Sequence, residues 1–170
     1  MRGQVLIETV LYTFIGLTLM GLVLGFVYPR IQQAQERSLL QQSTTSLTGL
    51  DDLIQLVMTR GPGNVKKASF SLQRGTLTID PQAETIVFEI TELHTPPSEP
   101  GAAIPFGNLI MRTIPTDDSY KVQYTLQYTT LDLSFEGEQI KTFQASSVPY
   151  QFLVSNEGGN GKPRIVLSVQ

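Results

Sequence analysis

Twenty-one consecutive residues without a charge, Thr9 to Pro29, constrain this chain more than any other feature. At about 1.5 Å rise per residue, a helix over that run is roughly 30 Å long, which is one hydrocarbon thickness. The segment is therefore predicted to be a membrane-spanning helix. A secretory signal peptide would have a shorter apolar region, then a small-residue cleavage site and a change of composition. Here Gly25 leads into Phe26-Val27-Tyr28-Pro29-Arg30 and the helical pattern continues, so the helix is expected to be retained. Tyr12 and Tyr28 lie near its two ends, as interfacial aromatics do. Gly16, Gly21 and Gly25 would let another backbone come close, and Gly21 and Gly25 have the spacing of a helix-pairing face. Glycine is also frequent in membrane helices generally, so the spacing alone does not decide.

Glu8 opens this segment. An acid in hydrocarbon costs roughly 2.5–3.5 kcal/mol at a helix centre on insertion scales, and usually has a designated partner. On physical grounds alone, Glu8 fits equally well as a carboxylate at the membrane surface, favoured by the positive end of the helix dipole. The wider pattern is Arg2-Gly3, then Gln4-Val5-Leu6-Ile7-Glu8, then an unbroken apolar helix. It resembles the class III signal sequence of type IV pilins, and of archaeal pilin-like proteins in particular.

That resemblance implies a leader of residues 1–3, cut by a prepilin peptidase between Gly3 and Gln4. The precursor would sit in the cytoplasmic membrane with its N-terminus inside. It would then pass through the pilus assembly machinery into an extracellular helical filament of identical subunits, with apolar helices at the core, heads outside, and adhesion as the expected use. Glu8 would face the new Gln4 amine of a neighbouring subunit, a pair that fixes register more than it adds stability. Gly16, Gly21, Gly25 and Pro29 complete the assembly candidates. The three-residue leader, with Arg2 as its one base, is shorter than is usual in that family. Gln4 in place of Phe and the absence of cysteine favour the archaeal over the bacterial branch.

Beyond Pro29, which should bend or loosen the helix, the segment from Arg30 is polar and rich in helix formers. Apolar residues then recur near the helical period at Leu39, Leu40, Leu47, Leu50, Ile54 and Val57. Arg60-Gly61-Pro62-Gly63 is a stop signal. The expected helix thus covers residues 4–60, apolar at one end and one-sided at the other. From residue 64 to 170 the period switches to two, with frequent turn residues. Nine strands are predicted: 66–73, 76–80, 85–92, 107–114, 121–130, 131–135, 139–144, 150–155 and 164–169. The fold class is α+β, a long N-terminal helix followed by an antiparallel β-sandwich head, Ig-like or related. Phe70, Leu72, Leu77, Ile79, Ile86, Phe88 and Ile90 are expected to line one face. His94 to Pro105, with four prolines, is expected to be a strandless surface loop crossing between sheets.

The residues that could carry chemistry are few. With no cysteine, thiolate metal sites and cysteine nucleophiles are excluded, and His94, the only histidine, reads as a plain loop residue. Neither Asp51-Asp52 nor Asp117-Asp118 has the spaced oxygens of a calcium loop. The first pair is expected on the solvated side of the stem and the second in a turn. Gly158, Gly159 and Gly161 lack a following Gly-Lys-Ser/Thr and read as a hairpin rather than a phosphate cradle. No serine sits in a nucleophile-elbow context. The reading is therefore not an enzyme, with no cofactor and no metal. The net charge of −3 argues against a nucleic-acid partner. No asparagine is followed by the Ser or Thr of an N-glycosylation acceptor, so any glycan would use hydroxyls such as those of Ser43 to Thr48. Two other classes remain open: a single-pass anchored β-domain acting as a binding module, or an archaellin or minor pilin. Pro96, Pro97, Asn156 and Gly159 are the candidate surface contacts of the head.

Overall fold

A computed structural model describes residues 2–137 and 139–170, the side chains of residues 2–6 excepted. One helix, α1 (Arg2–Arg60), is followed by β1 (Val65–Phe70), β2 (Thr76–Asp80), β3 (Thr85–Leu93), β4 (Ala103–Phe106) and β5 (Leu109–Pro115). The chain continues with β6 (Tyr120–Gln127), β7 (Asp132–Phe135), β8 (Lys141–Gln144), β9 (Tyr150–Gly158) and β10 (Arg164–Val169). Two compact units result, divided after Ser38. The first is helix alone, and its backbone stays helical through Pro29. The second contains the rest of α1 and every strand.

The second unit is a sandwich of two sheets. One has four strands in the order β1-β9-β10-β7, the other six in the order β4-β5-β6-β3-β2-β8. Pairing is antiparallel except between β10 and β7, which run parallel from Arg164↔Asp132 to Leu167↔Phe135. Period-two alternation sends one side of each strand inward. All seven side chains expected to line one face, Phe70 through Ile90, are buried, but they divide between the layers: Phe70 lies on β1 of the four-stranded sheet, and Leu77, Ile79, Ile86, Phe88 and Ile90 lie on β2 and β3 of the six-stranded one. Aromatic rings join the layers: Phe70 of β1 meets Phe88 of β3 edge-on at 6.3 Å, and Phe143 of β8 meets Phe152 of β9 at 5.2 Å.

The C-terminal part of α1 completes this core. Leu40, Leu47, Leu50, Ile54 and Val57 are buried, one helix stripe as the periodicity predicts. Phe88 stacks on Tyr124 of β6, and the Tyr124 hydroxyl lies 3.3 Å from Thr44 Oγ1 on the helix. The helix stripe and the four-stranded sheet thus both pack against the inner face of the six-stranded sheet.

The segment His94 to Pro105 departs from expectation. It contains a tenth strand, β4, and it does not cross between sheets, since β3, β4 and β5 all belong to the six-stranded one. The proline content that suggested a loop is compatible with β4 because the strand lies at the sheet edge. There Pro105 removes no donor that an inner ladder would need. The layers are crossed elsewhere in the chain, at β1–β2, β6–β7, β7–β8 and β8–β9.

Candidate functional site

Two regions contain the residues singled out above, and each is described separately because they fall in different units. In the first, α1 from Ile7 onward contains a stretch long and apolar enough to cross a membrane, none of it buried within the chain. Ile7, Val10, Leu11, Phe14, Leu17 and Phe26 are all exposed. Two hydroxyls along it are internally satisfied: Thr13 and Thr18 donate to the carbonyls of Thr9 and Phe14, each at 2.8 Å. Such back-bonding lets a hydroxyl sit in an apolar medium without an unpaired donor. Glu8 is exposed. At the expected cleavage position between Gly3 and Gln4 the backbone is helical, and the Gln4 side chain lies outside the described residues.

Among the described residues, no packing requires any of the three glycines. A Cβ built at Gly16, Gly21 or Gly25 meets no atom within 4 Å. Glycine in a helix interior costs about 1 kcal/mol relative to alanine, and no packing among the described residues offsets that cost. Gly21 and Gly25, one turn apart, leave a shallow face open to a second helix.

In the second unit, the head holds the end of α1 through two polar fixtures. The first is the helix terminus. The last carbonyls of a helix have no intrahelical donor, and burying them unpaired is costly. Asn156 Nδ2 donates to the carbonyls of Val57 at 3.2 Å and Met58 at 3.5 Å. Asn64 Nδ2 donates to those of Arg60 and Gly61, both at 2.9 Å. Gly61 adopts a left-handed φ of 84° and donates its N–H to Met58, the turn that ends the helix where the sequence signals it. Asn156 is thus a buried cap, 2% exposed, and not the surface contact expected of it. Its own backbone N–H donates to Asn64, and its carbonyl accepts from Gly63.

The second fixture is Asp51. It is buried, contrary to the expectation of a solvated pair, while its neighbour Asp52 is exposed. Asp51 Oδ1 accepts from the Tyr128 hydroxyl at 3.0 Å, Asn108 Nδ2 at 3.2 Å and Gln55 Nε2 at 3.5 Å. These donors join the helix to the end of β6 and to the β4–β5 turn. Burial, and then the adjacent Asp51 charge and hydrogen bond, push the Tyr128 phenol well above its ordinary value. Burial also raises Tyr124, partly offset by its hydrogen bond with Thr44.

No protein-family model, curated protein or solved structure matches the chain. Its residues alone therefore carry the reading.

Of the other candidate contacts, Pro96 and Pro97 are exposed, on the segment between β3 and β4. That segment is pinned to β5, where Ser98 Oγ lies 2.6 Å from Thr113 Oγ1 and Gly101 N–H donates to the Thr113 carbonyl at 2.8 Å. Gly159 is exposed in the β9–β10 hairpin, where a Cβ would strike the Lys162 carbonyl, so its glycine serves the turn. The two proline positions and Gly159 belong to connections of different sheets. Asp117 and Asp118 occupy the β5–β6 turn as expected, closed by Thr116 N–H donating to Ser119. Among the described residues, no group of three His, Cys, Asp or Glu side chains could hold a metal ion.

Proposed function

We propose that this protein is a structural subunit of a type IV pilus-like surface filament. In this reading, residues 1–3 are removed between Gly3 and Gln4. The apolar part of α1 first anchors the precursor in the cytoplasmic membrane, then packs against the same helix of other subunits. The observation that carries the proposal is the apolar stretch of α1, exposed over its whole length within the chain and bearing three glycines that no neighbouring atom requires. Burying some twenty apolar side chains against like helices stabilises a polymer, at about 25 cal/mol per Å² buried. Part of that gain is offset because the helix leaves lipid rather than water.

Glu8 supplies the register in this scheme. Close to the new N-terminus, it can pair with the Gln4 amine of an adjacent subunit in a dry environment, and a misregistered neighbour would leave the charge unpartnered. The head fixtures support the same reading. Asn156 and Asp51 hold the C-terminal part of α1 in the core of the β domain, so head and stem act as one subunit from Leu39 onward. The test is Glu8→Gln in the native host. The variant is expected to insert into the membrane normally and to form few or disordered filaments. Filaments of normal number and order from that variant would overturn the role given to Glu8.

A further inference from the structure

Between the exposed side of α1 and the β4–β5 hairpin lies an open groove of about 480 Å³. Gln41, Thr45, Thr48 and Asp52 line its helix wall, at intervals of four, three and four residues that put them on one helix face. Phe106 and Met111 form the opposite wall, and Phe106 is 48% exposed. Among the described residues, the side chains of Gln41, Thr48 and Asp52 make no hydrogen bond or ion pair. The Thr45 hydroxyl spends its proton on the Gln41 carbonyl at 2.9 Å and keeps its lone pairs. Thr48 and Asp52, about one turn apart, thus bring a hydroxyl and a carboxylate to the groove that Phe106 lines, and Gln41 lies about 16 Å from Asp52 along the helix.

We propose that this groove binds a neutral saccharide. A sugar ring presents adjacent hydroxyls, from which the Asp52 carboxylate can accept in a pair while the Thr48 hydroxyl, about one turn away, takes a further contact. It also presents an apolar C–H face, which packs on an aromatic ring such as Phe106, with the buried Met111 behind that wall. The volume suits one or two sugar units. Charge selects within the class: among the described residues Asp52 is the one ionisable group lining the groove and no base lines it, so phosphorylated, sialylated or uronic sugars are disfavoured. An extended peptide pairing with the β4 edge fits less well, because Pro105 interrupts that edge's donors. Placing this contact on a filament surface rests on the function proposed above, but the binding itself does not.

Saturation-transfer NMR on the full chain in a zwitterionic, sugar-free detergent tests the inference. The probes are the methyl glycosides of glucose, galactose, mannose and N-acetylglucosamine, with glucuronic and N-acetylneuraminic acids as the charged comparison. At least one neutral glycoside is expected to bind saturably and the acids not at all. Phe106→Ala and Asp52→Asn are each expected to weaken that binding about tenfold or more, with thermal unfolding unchanged by Asp52→Asn, which alters an exposed side chain, and lowered only slightly by Phe106→Ala, which removes a half-buried one. Binding by none of the neutral probes, or equal binding by both variants, would overturn the proposal. So would a Phe106→Ala change in self-association without any saccharide binding, which would assign the groove to a second copy of the chain. The Glu8→Gln chain separates the two readings: saccharide binding is expected to persist in it even where filaments are lost.

Discussion

Replacing Asn156 tests how the head grips the end of the stem. Its amide is buried and supplies the donor to the Val57 carbonyl, the shorter of its two contacts with the helix end at 3.2 Å. Asn156→Ala leaves that carbonyl buried without a partner, and an unsatisfied buried acceptor costs about 1–3 kcal/mol. Taking about 2 kcal/mol, and roughly 3–5 °C per kcal/mol for a unit near 130 residues, the melting temperature should fall by about 8 °C. Asn156→Asp keeps the shape but turns a donor into an acceptor and sets a negative charge at the negative end of the helix dipole. It should therefore destabilise at least as much as the alanine variant. Asn64→Ala removes two hydrogen bonds, but at a less buried position where water can replace them, so its cost should stay below about 1 kcal/mol. The chain has no tryptophan and six tyrosines, two of them buried in the core, so thermal unfolding followed by tyrosine fluorescence reads the head. An Asn156→Asp chain as stable as the parent, or a larger loss from Asn64→Ala than from Asn156→Ala, would refute this account of the cap.

Two further perturbations follow from the same interface. Leu47, fully buried on the helix stripe, should cost about 2–5 kcal/mol on truncation to alanine, read as a lower urea midpoint, whereas truncating exposed Leu17 should leave head unfolding unchanged. Tyr128 has a folded pKa raised above the unfolded value of about 10, so its contribution to stability is complete below that pH and declines as pH rises above it, by about 1.4 kcal/mol per unit. Tyr128→Phe should be less stable than the parent at neutral pH, with a shallower alkaline decline. Parallel stability profiles for the two chains from pH 9 upward would contradict the burial argument.

Local signals were legible in the sequence wherever a residue's environment depends on its near neighbours. The helix stop at Arg60, the switch of period at residue 64 and the burial of the set from Phe70 to Ile90 all appear where periodicity and turn chemistry put them, whereas the division of that set between two sheets does not show in a local pattern. The polar fixtures were not legible, because burial of a polar residue is decided by a partner remote in the chain. Tyr128 lies 77 residues from Asp51, and Asn156 lies 99 from Val57. Asp51 beside Asp52 read as a solvated pair. Its one detectable signal was its place next to Leu50 on the buried stripe, where a lone acid has to find donors. Asn156 read as hairpin surface because of the glycines that follow it. β4 was missed because prolines count against a strand unless the strand is known to be an edge, and edge position is a property of the whole sheet. The parallel pairing of β7 with β10 likewise depends on how distant segments meet.

The central claim is that the apolar end of α1 is processed and then buried in a polymer of identical subunits. It is tested most directly by N-terminal sequencing and intact-mass measurement of the protein recovered from the surface of its native host. The account predicts a mature chain beginning at Gln4, found in a sedimentable filament fraction. A chain that still carries Met1-Arg2-Gly3 and is recovered only as a detergent-soluble monomer would contradict it, leaving a membrane-anchored β domain in its place.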